Sequence, residues 1–240
     1  MSTFRFKRFE VINERSAMKV NTDGVLLGAL MCLKSSDRRL LDVGTGTGTI
    51  ALIAAQRLEG LARIDAIDID ADSADEAGAN FRRSPWTENL NAYNHSLESY
   101  GSILDGDTRY DLIFSNPPYF EASQEAPEKR RSNARHTSSG LSYRELLDFA
   151  QERLDQNGRF AIVLPAEQEQ PLTRYARMCG LHLFRMTRIR TVPRKNPNRI
   201  VAEFSRIRCE APEDTTLTIQ DEGKYTQEYL SLMHDFYLFA

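Results

Sequence analysis

The stretch Leu40-Leu41-Asp42-Val43-Gly44-Thr45-Gly46-Thr47-Gly48-Thr49-Ile50 runs an apolar strand straight into a glycine-spaced turn and then into the apolar start of a helix. Glycine at alternate positions lets the backbone turn sharply and approach a ligand, and the helix that follows offers unpaired N–H groups. This order predicts a crevice of the nucleotide-binding type at the carboxyl end of a strand. A glycine-rich turn also serves as a plain connector, so the surrounding chain has to decide between the two.

That surrounding chain is α/β in pattern. From Arg39 to Val163, apolar runs of strand length alternate with segments of helical period, as in βαβ units around a mostly parallel sheet. Strands are expected at Leu40–Val43, Arg63–Ile69, Leu90–Asn94, Tyr110–Ser115 and Arg159–Leu164, and helices at Thr49–Leu58, Ser73–Arg82, Tyr143–Leu154 and Glu169–Met178. Two more β-rich runs, His182–Val192 and Arg199–Arg208, flank Pro193-Arg194-Lys195-Asn196-Pro197-Asn198, a turn composition that predicts a hairpin. The expected architecture is therefore Rossmann-like: a mostly parallel seven-stranded sheet with an antiparallel edge hairpin and helices on both faces. Thr226–Phe239 spaces Tyr229, Leu232, Met233, Phe236 and Phe239 by three or four and predicts a closing amphipathic helix. One domain over 1–240 is expected, with an N-terminal extension (1–38), a core (39–165) and a hairpin-plus-helix end (166–240). The polar segment Glu121–Gly140 predicts a long loop.

Composition excludes several classes. The 240 residues include 31 Lys plus Arg against 34 Asp plus Glu, for a net charge of −3, and 41% are hydrophobic, as in an ordinary folded protein rather than a disordered one. Cys32, Cys179 and Cys209 are odd in number and far apart, which argues against a disulfide framework or a cysteine-rich zinc site. No run approaches the roughly 18 apolar residues of a membrane span, and the first residues lack a signal-peptide core, so the cytoplasm is the default location; the oligomeric state is open, with a monomer as the default. Charge is uneven, however. Between Arg185 and Arg208, Glu203 stands alone against Arg185, Arg188, Arg190, Arg194, Lys195, Arg199, Arg206 and Arg208.

Two further features bear on the crevice. Asp68 closes the second strand about 20 residues after the glycine turn, where an acid accepts from ribose hydroxyls, while a solvated strand-end carboxylate is the plainer alternative; Asp70 and Asp72 suit a helix start. The acid Asp42 two residues before G-x-G-x-G is the form of motif I in class I S-adenosylmethionine-dependent methyltransferases, which this segment resembles, rather than the G-x-G-x-x-G of dinucleotide enzymes. At the end of the fourth strand stands Asn116-Pro117-Pro118-Tyr119. The tetrapeptide makes a rigid turn, and it also suits methylation of a planar amino nitrogen. The Asn116 side-chain oxygen and the Pro117 carbonyl can hold both N–H groups, the prolines fix the carbonyl direction, and Tyr119 can stack on an extruded base. Upstream, Thr22 and Lys19 precede the apolar run Val25–Met31, where Thr22 caps a helix, holds the methionine carboxylate of the cofactor, or does both.

Together these residues resemble the bacterial tRNA(Val) adenine-37 N6-methyltransferases of the class I methyltransferase fold. Motif I and Asn116–Tyr119 mark the amino-methyltransferase superfamily. Phe4-Arg5-Phe6-Lys7-Arg8-Phe9, Met18–Gly28, Tyr225–Tyr229 and Phe236-Tyr237-Leu238 point to this member. The resemblance implies S-adenosylmethionine as cofactor, with Asp42, Gly44, Gly46, Gly48 and Asp68 binding it, Asn116, Pro117 and Tyr119 forming the amino-group site, and no metal. Ser96 stands where many relatives carry an aspartate near the adenine, which leaves the Leu97 backbone N–H as a candidate contact. It also implies methylation of the adenosine 3′ of the anticodon, with tRNA as partner; a membrane is not expected for want of an apolar span, nor DNA for want of length for a target-recognition region.

Anticodon-loop binding calls for basic contacts. Arg190, Arg194, Lys195 and Arg199 of the hairpin and Lys129, Arg130, Arg131 and Arg135 of the loop are the candidates, against the alternative of a solvated sheet edge. His136 is a further loop candidate. Ribosomal RNA adenine and the glutamine amide of a release factor are rival acceptors, although no room precedes motif I for the helical substrate domain of the glutamine enzymes. A non-catalytic RNA-binding module is the alternative outside enzymes.

Overall fold

The computed structural model describes residues 2–118 and 141–240. The chain opens with β1 (Thr3–Arg5), β2 (Glu10–Ile12) and α1 (Thr22–Leu30). The core follows as β3 (Arg39–Val43), α2 (Thr49–Arg57), β4 (Arg63–Asp68), α3 (Ala71–Arg83), β5 (Leu90–Asn94), α4 (Leu97–Ile103) and β6 (Tyr110–Ser115). Further along come α5 (Tyr143–Arg153), β7 (Leu154–Pro165), α6 (Glu169–Met178), β8 (His182–Arg190) and β9 (Arg199–Ser205). The last elements are β10 (Glu213–Thr218), β11 (Gln220–Asp221), β12 (Lys224–Tyr225) and α7 (Gln227–Met233).

The central sheet has eight strands in the order β10-β8-β9-β7-β6-β3-β4-β5, one more than the sequence pattern predicts. Only β9 runs antiparallel to its neighbours. The β8–β9 hairpin is consequently not an edge, because β10 pairs in parallel with β8 from Glu213↔Arg185 to Thr218↔Arg190. Glu-Asp-Thr-Thr-Leu-Thr buries Leu217 alone, so β10 has no apolar run to betray it. The closing helix is also shorter than its periodicity suggests. It stops at Met233, and the chain turns back through Phe236 and Tyr237 N–H bonds to the Met233 carbonyl, leaving Phe239 stacked on Tyr225 and Tyr237.

Strand residues alternate between two cores, as a period of two requires when both faces are covered. Leu40, Leu112, Phe114, Ala161 and Val163 pack with α1, α2 and the N- and C-terminal segments. Leu41, Val43, Ile113, Phe160 and Ile162 pack with α5 and α6 on the other face. The N-terminal phenylalanines join the first core. Phe6 stacks on Phe9 at 4.5 Å between centroids and on Tyr237 at 5.9 Å, so the two chain ends form one aromatic cluster. Among the described residues no helix is long and apolar enough to cross a membrane.

Two polar devices hold the N-terminal segment and α1 where the site needs them. Glu76 on α3 accepts backbone N–H groups of Glu14 (2.6 Å) and Ser16 (2.7 Å), with Arg15 between them. Burial pushes its carboxyl upward, but these three donors outweigh that and hold it below the ordinary value. At its other end α1 has no basic residue in its last turn, yet its carbonyls are covered by distant guanidiniums. Arg57 donates to Gly28 and Met31, Arg185 to Leu30 and Arg159 to Cys32. Cations at a helix C-terminus are favourable.

Candidate active site at the carboxyl ends of the parallel strands

Because β3, β4, β6 and β7 are parallel, their carboxyl ends share one edge of the sheet, and open sheets of this kind bind their ligands at that edge. After β3 the chain turns through Gly44 (φ 72°), Gly46 (φ 55°) and Gly48 (φ 81°), all left-handed. Gly48 also sits where a Cβ would lie 2.5 Å from Phe81, so it serves helix–helix packing, whereas Gly44 and Gly46 line a shallow cleft.

The turn is held from three sides. The Gly44 and Thr45 N–H groups donate to the Ile67 carbonyl at 2.8 and 3.0 Å. Asp68 accepts from Gly46 N–H at 2.8 Å with one carboxylate oxygen and from Asp70 N–H at 2.9 Å with the other. Burial nevertheless raises the Asp68 carboxyl above its ordinary value, the two N–H bonds opposing it. Asp42 departs from its expected place against the cofactor. It is completely buried beneath the turn, where it accepts from the Thr45 hydroxyl at 2.7 Å, and burial pushes its carboxyl up to about 7.

From β6, the Ser115 hydroxyl donates to the Val43 carbonyl at 2.7 Å, fixing the strand end beside the glycine turn. Asn116 follows, 5% exposed, with Pro117 buried and Pro118 exposed. Its Nδ2 lies 3.5 Å from Asn21 Oδ1 and 3.7 Å from Met18 Sδ. Asn116, Met18, Lys19, Asn21, Gly44 and Gly46 thus border the same cleft. Tyr119, like Lys129, Arg130, Arg131, Arg135 and His136, lies outside the described residues.

Asn21 is absent from the residues expected from sequence, and it displaces Thr22. The cap of α1 is Asn21, whose side chain accepts Gly24 N–H at 2.8 Å, while Thr22 is the exposed first helical residue and does not line the cleft. A signal for it exists in the sequence, since asparagine is as good a cap as threonine or better. Lys19 borders the cleft but donates its ammonium to the Glu14 carbonyl at 2.6 Å. Leu97 begins α4 behind the cap Ser96, so its N–H belongs to the first turn, which has no intrahelical acceptor. Leu97 does not line the cleft; just before it, His95 N–H and Asn94 Nδ2 both donate to the Asp68 carbonyl at 3.0 Å.

The basic segment divides. Arg188 pairs with Glu169 and Asp214 and Arg199 with Asp23 at 2.8 Å, acids of other elements, while Arg185 pairs with buried Glu203 of the same segment at 2.5 Å, so part of the charge excess is cancelled. Arg190 is engaged by Thr218 and the Pro193 carbonyl. Arg194 and Lys195 are exposed in the β8–β9 connection. The Asn198 carbonyl there accepts Ala166 N–H just after β7, which puts the connection on the same sheet edge as Asn116.

A glycine turn, an acid at the next strand end and Asn-Pro-Pro at the fourth, on this sheet, define a class I methyltransferase. The family model described as "Methyltransferase small domain" matches residues 16–177. A curated tRNA1(Val) (adenine(37)-N6)-methyltransferase of Parabacteroides distasonis is 42% identical, with 98% of this chain and 97% of that protein covered. One of the same name from Bacteroides fragilis is 39% identical over 98% and 97%. A solved structure of an Agrobacterium tumefaciens protein, a predicted O-methyltransferase, superposes with TM-score 0.64 at 16% identity, covering 89% of this chain and 96% of that one, and supports the fold. The chain belongs to the methyltransferase small domain family and, within it, to the tRNA1(Val) (adenine(37)-N6)-methyltransferases.

Proposed function

We propose that this protein uses S-adenosylmethionine to methylate N6 of an adenosine in tRNA, the adenosine 3′ of the valine anticodon being the intended target. The observation that carries this reading is Asn116, nine-tenths buried at the carboxyl end of β6 and bordering the cleft with Gly44 and Gly46. The relatives named above act, by name, on that nucleoside.

The residues present fit S-adenosylmethionine. The glycine backbone allows close approach, Asp68 keeps a lone pair on each oxygen beyond its two N–H bonds for ribose hydroxyls, and the N-terminus of α1 and Lys19 suit a carboxylate. When bound, that group supplies a methyl activated by its sulfonium. The protein's part is alignment and charge stabilisation.

An exocyclic adenine nitrogen is a poor nucleophile because its lone pair is delocalised into the ring. The Asn116 Oδ1 and the Pro117 carbonyl accept its two N–H groups, so that the lone pair turns out of the ring plane. The same acceptors stabilise the nitrogen while it is cationic, and one proton then leaves. Pro117 and Pro118 hold the backbone extended at this point. Tyr119 stacks on the extruded base. Phosphate contacts come from Arg190, Arg194 and Lys195, together with Arg130, Arg131 and Arg135.

The test is methyl transfer from labelled cofactor to total RNA of a strain lacking the gene, followed by nuclease mapping. Label at the anticodon-adjacent adenosine of valine tRNA is the expected result. Label confined to ribosomal RNA overturns the substrate and keeps the chemistry; label only in protein overturns both.

A further inference from the structure

We infer that Asn21 is a residue that orients the Asn116 carboxamide, an inference that rests on the reading of Asn116 as amino-group acceptor. The argument is one of donors and acceptors. Gly24 N–H is a donor only, so the Asn21 atom 2.8 Å away is its oxygen. The Asn21 amide nitrogen agrees, since it faces the Lys19 carbonyl at 3.1 Å. With Asn21 Oδ1 fixed as an acceptor, the Asn116 arm 3.5 Å from it is the amide nitrogen, because two carbonyl oxygens there would face each other without a proton. Met18 Sδ, a weak acceptor 3.7 Å from the same nitrogen, favours the same rotamer.

Asn116 Oδ1 is therefore the other arm of the amide, turned from Asn21. Methylation requires an acceptor in that place, and an amide rotated by half a turn presents N–H groups to the N–H groups of the target. Asn21 thus carries two functions through one oxygen. It caps α1, and it sets which end of Asn116 meets the substrate. The Glu76 bonds to residues 14–16 and the guanidiniums beneath the C-terminus of α1 hold it at the required distance.

The two functions separate by substitution. Asn21→Ser keeps a cap of equal quality, but its shorter hydroxyl does not reach Asn116. Asn21→Asp keeps the acceptor that faces Gly24 and Asn116 but replaces the amide that donates to the Lys19 carbonyl with a carboxylate oxygen. For methylation of tRNA from a strain lacking the gene, the expected result for Asn21→Ser is a fall in kcat of about tenfold, as misalignment of a reacting group produces. Cofactor Kd by titration calorimetry and the melting midpoint stay near wild type. In 15N spectra, the side-chain amide pair of Asn116, assigned by its loss in Asn116→Ala, shifts and broadens in Asn21→Ser and not in Asn21→Asp.

Unchanged kcat and an unchanged Asn116 amide signal in Asn21→Ser overturn the inference. So does a weakened cofactor Kd with kcat retained, which makes Asn21 a cofactor ligand. A fully active Asn116→Ala overturns instead the reading of Asn116 on which the inference rests. The amide spectrum then still reports whether Asn21 orients it.

Discussion

Asp68 Oδ2 lies 2.8 Å from the Gly46 nitrogen, so the acid that ends β4 also holds the turn that follows β3. On the proposed reading of Asp68 as the ribose acceptor, ribose recognition and the shape of the glycine turn are one unit. Asp68→Ala removes two acceptors for hydroxyls together with the N–H bond to the turn. At about 1 kcal/mol for each such bond, cofactor affinity falls on the order of 10- to 100-fold. Asn116→Ala, with its acceptor directed at substrate, leaves cofactor affinity near wild type while methyl transfer falls on the order of 10²- to 10³-fold. Titration calorimetry separates the two. Equal loss of cofactor affinity in both variants breaks the assignment.

Gly48 and Gly46 differ in what surrounds them, and substitution reads the difference. A Cβ on Gly48 lies 2.5 Å from Phe81 Cε1, a fully packed ring, on a left-handed backbone. A Cβ on Gly46 lies 3.5 Å from its nearest neighbours, ordinary contact. Gly46→Ala carries only the conformational cost of about 1–2 kcal/mol, whereas Gly48→Ala adds steric overlap to it. Thermal melting is expected to rank Gly48→Ala as the less stable, and cofactor titration to rank Gly46→Ala as the weaker binder for its remaining stability.

Most of this site is written locally in the chain. Strand, glycine turn, helix and the proline pair after β6 are contiguous patterns, and contiguous patterns survive reading one residue at a time. What is not legible depends on partners distant in sequence. Arg185 reads as part of a basic run until Glu203 and the end of α1 are brought beside it by β8–β9 pairing. Arg199 reads likewise until Asp23 arrives from 176 positions away. β10 escapes a reading by pattern because an exposed strand of Thr and acids lacks the apolar alternation that marks half-buried strands, and Asn21 escapes because Thr22 beside it is also a cap former.

Asp42 makes stability depend on pH in an unusual direction. Burial pushes its carboxyl up to about 7, well above the ordinary value of about 4, against the opposing hydrogen bond from Thr45. Between those values the folded state holds a proton that the unfolded state has released. Stability attributable to this group is therefore fully present below pH about 4 and is lost as pH rises toward about 7, by up to about 1.4 kcal/mol per pH unit. The carboxamide that Asp42→Asn introduces does not titrate. The variant is accordingly expected to gain on wild type across that window and to show a flatter profile. Denaturant midpoints at about pH 4.5, 6 and 7.5 measure it, and a difference between the two proteins that is constant with pH removes Asp42 as the source.

The basic residues of β8, β9 and their connection fall into two groups that ionic strength tells apart. Arg194 and Lys195 are exposed on the sheet edge that carries Asn116, whereas Arg185 neutralises a carboxylate that is itself buried. Reversing Arg194 and Lys195 to glutamate is expected to weaken tRNA binding and to flatten its dependence on salt, by about 0.7 in the logarithmic slope for each single-strand phosphate no longer neutralised. The melting midpoint stays near wild type, because exposed charges contribute little to stability. Arg185→Met leaves buried Glu203 without its ion-pair partner and the Leu30 carbonyl without its donor, so it destabilises the fold by about 3 kcal/mol. The tRNA salt slope of the fraction that remains folded is unchanged. Filter binding across a range of salt concentrations, read beside thermal melts, checks both arms. An unchanged slope in the Arg194, Lys195 double variant removes the connection from the RNA site, and a reduced slope in Arg185→Met places Arg185 there instead.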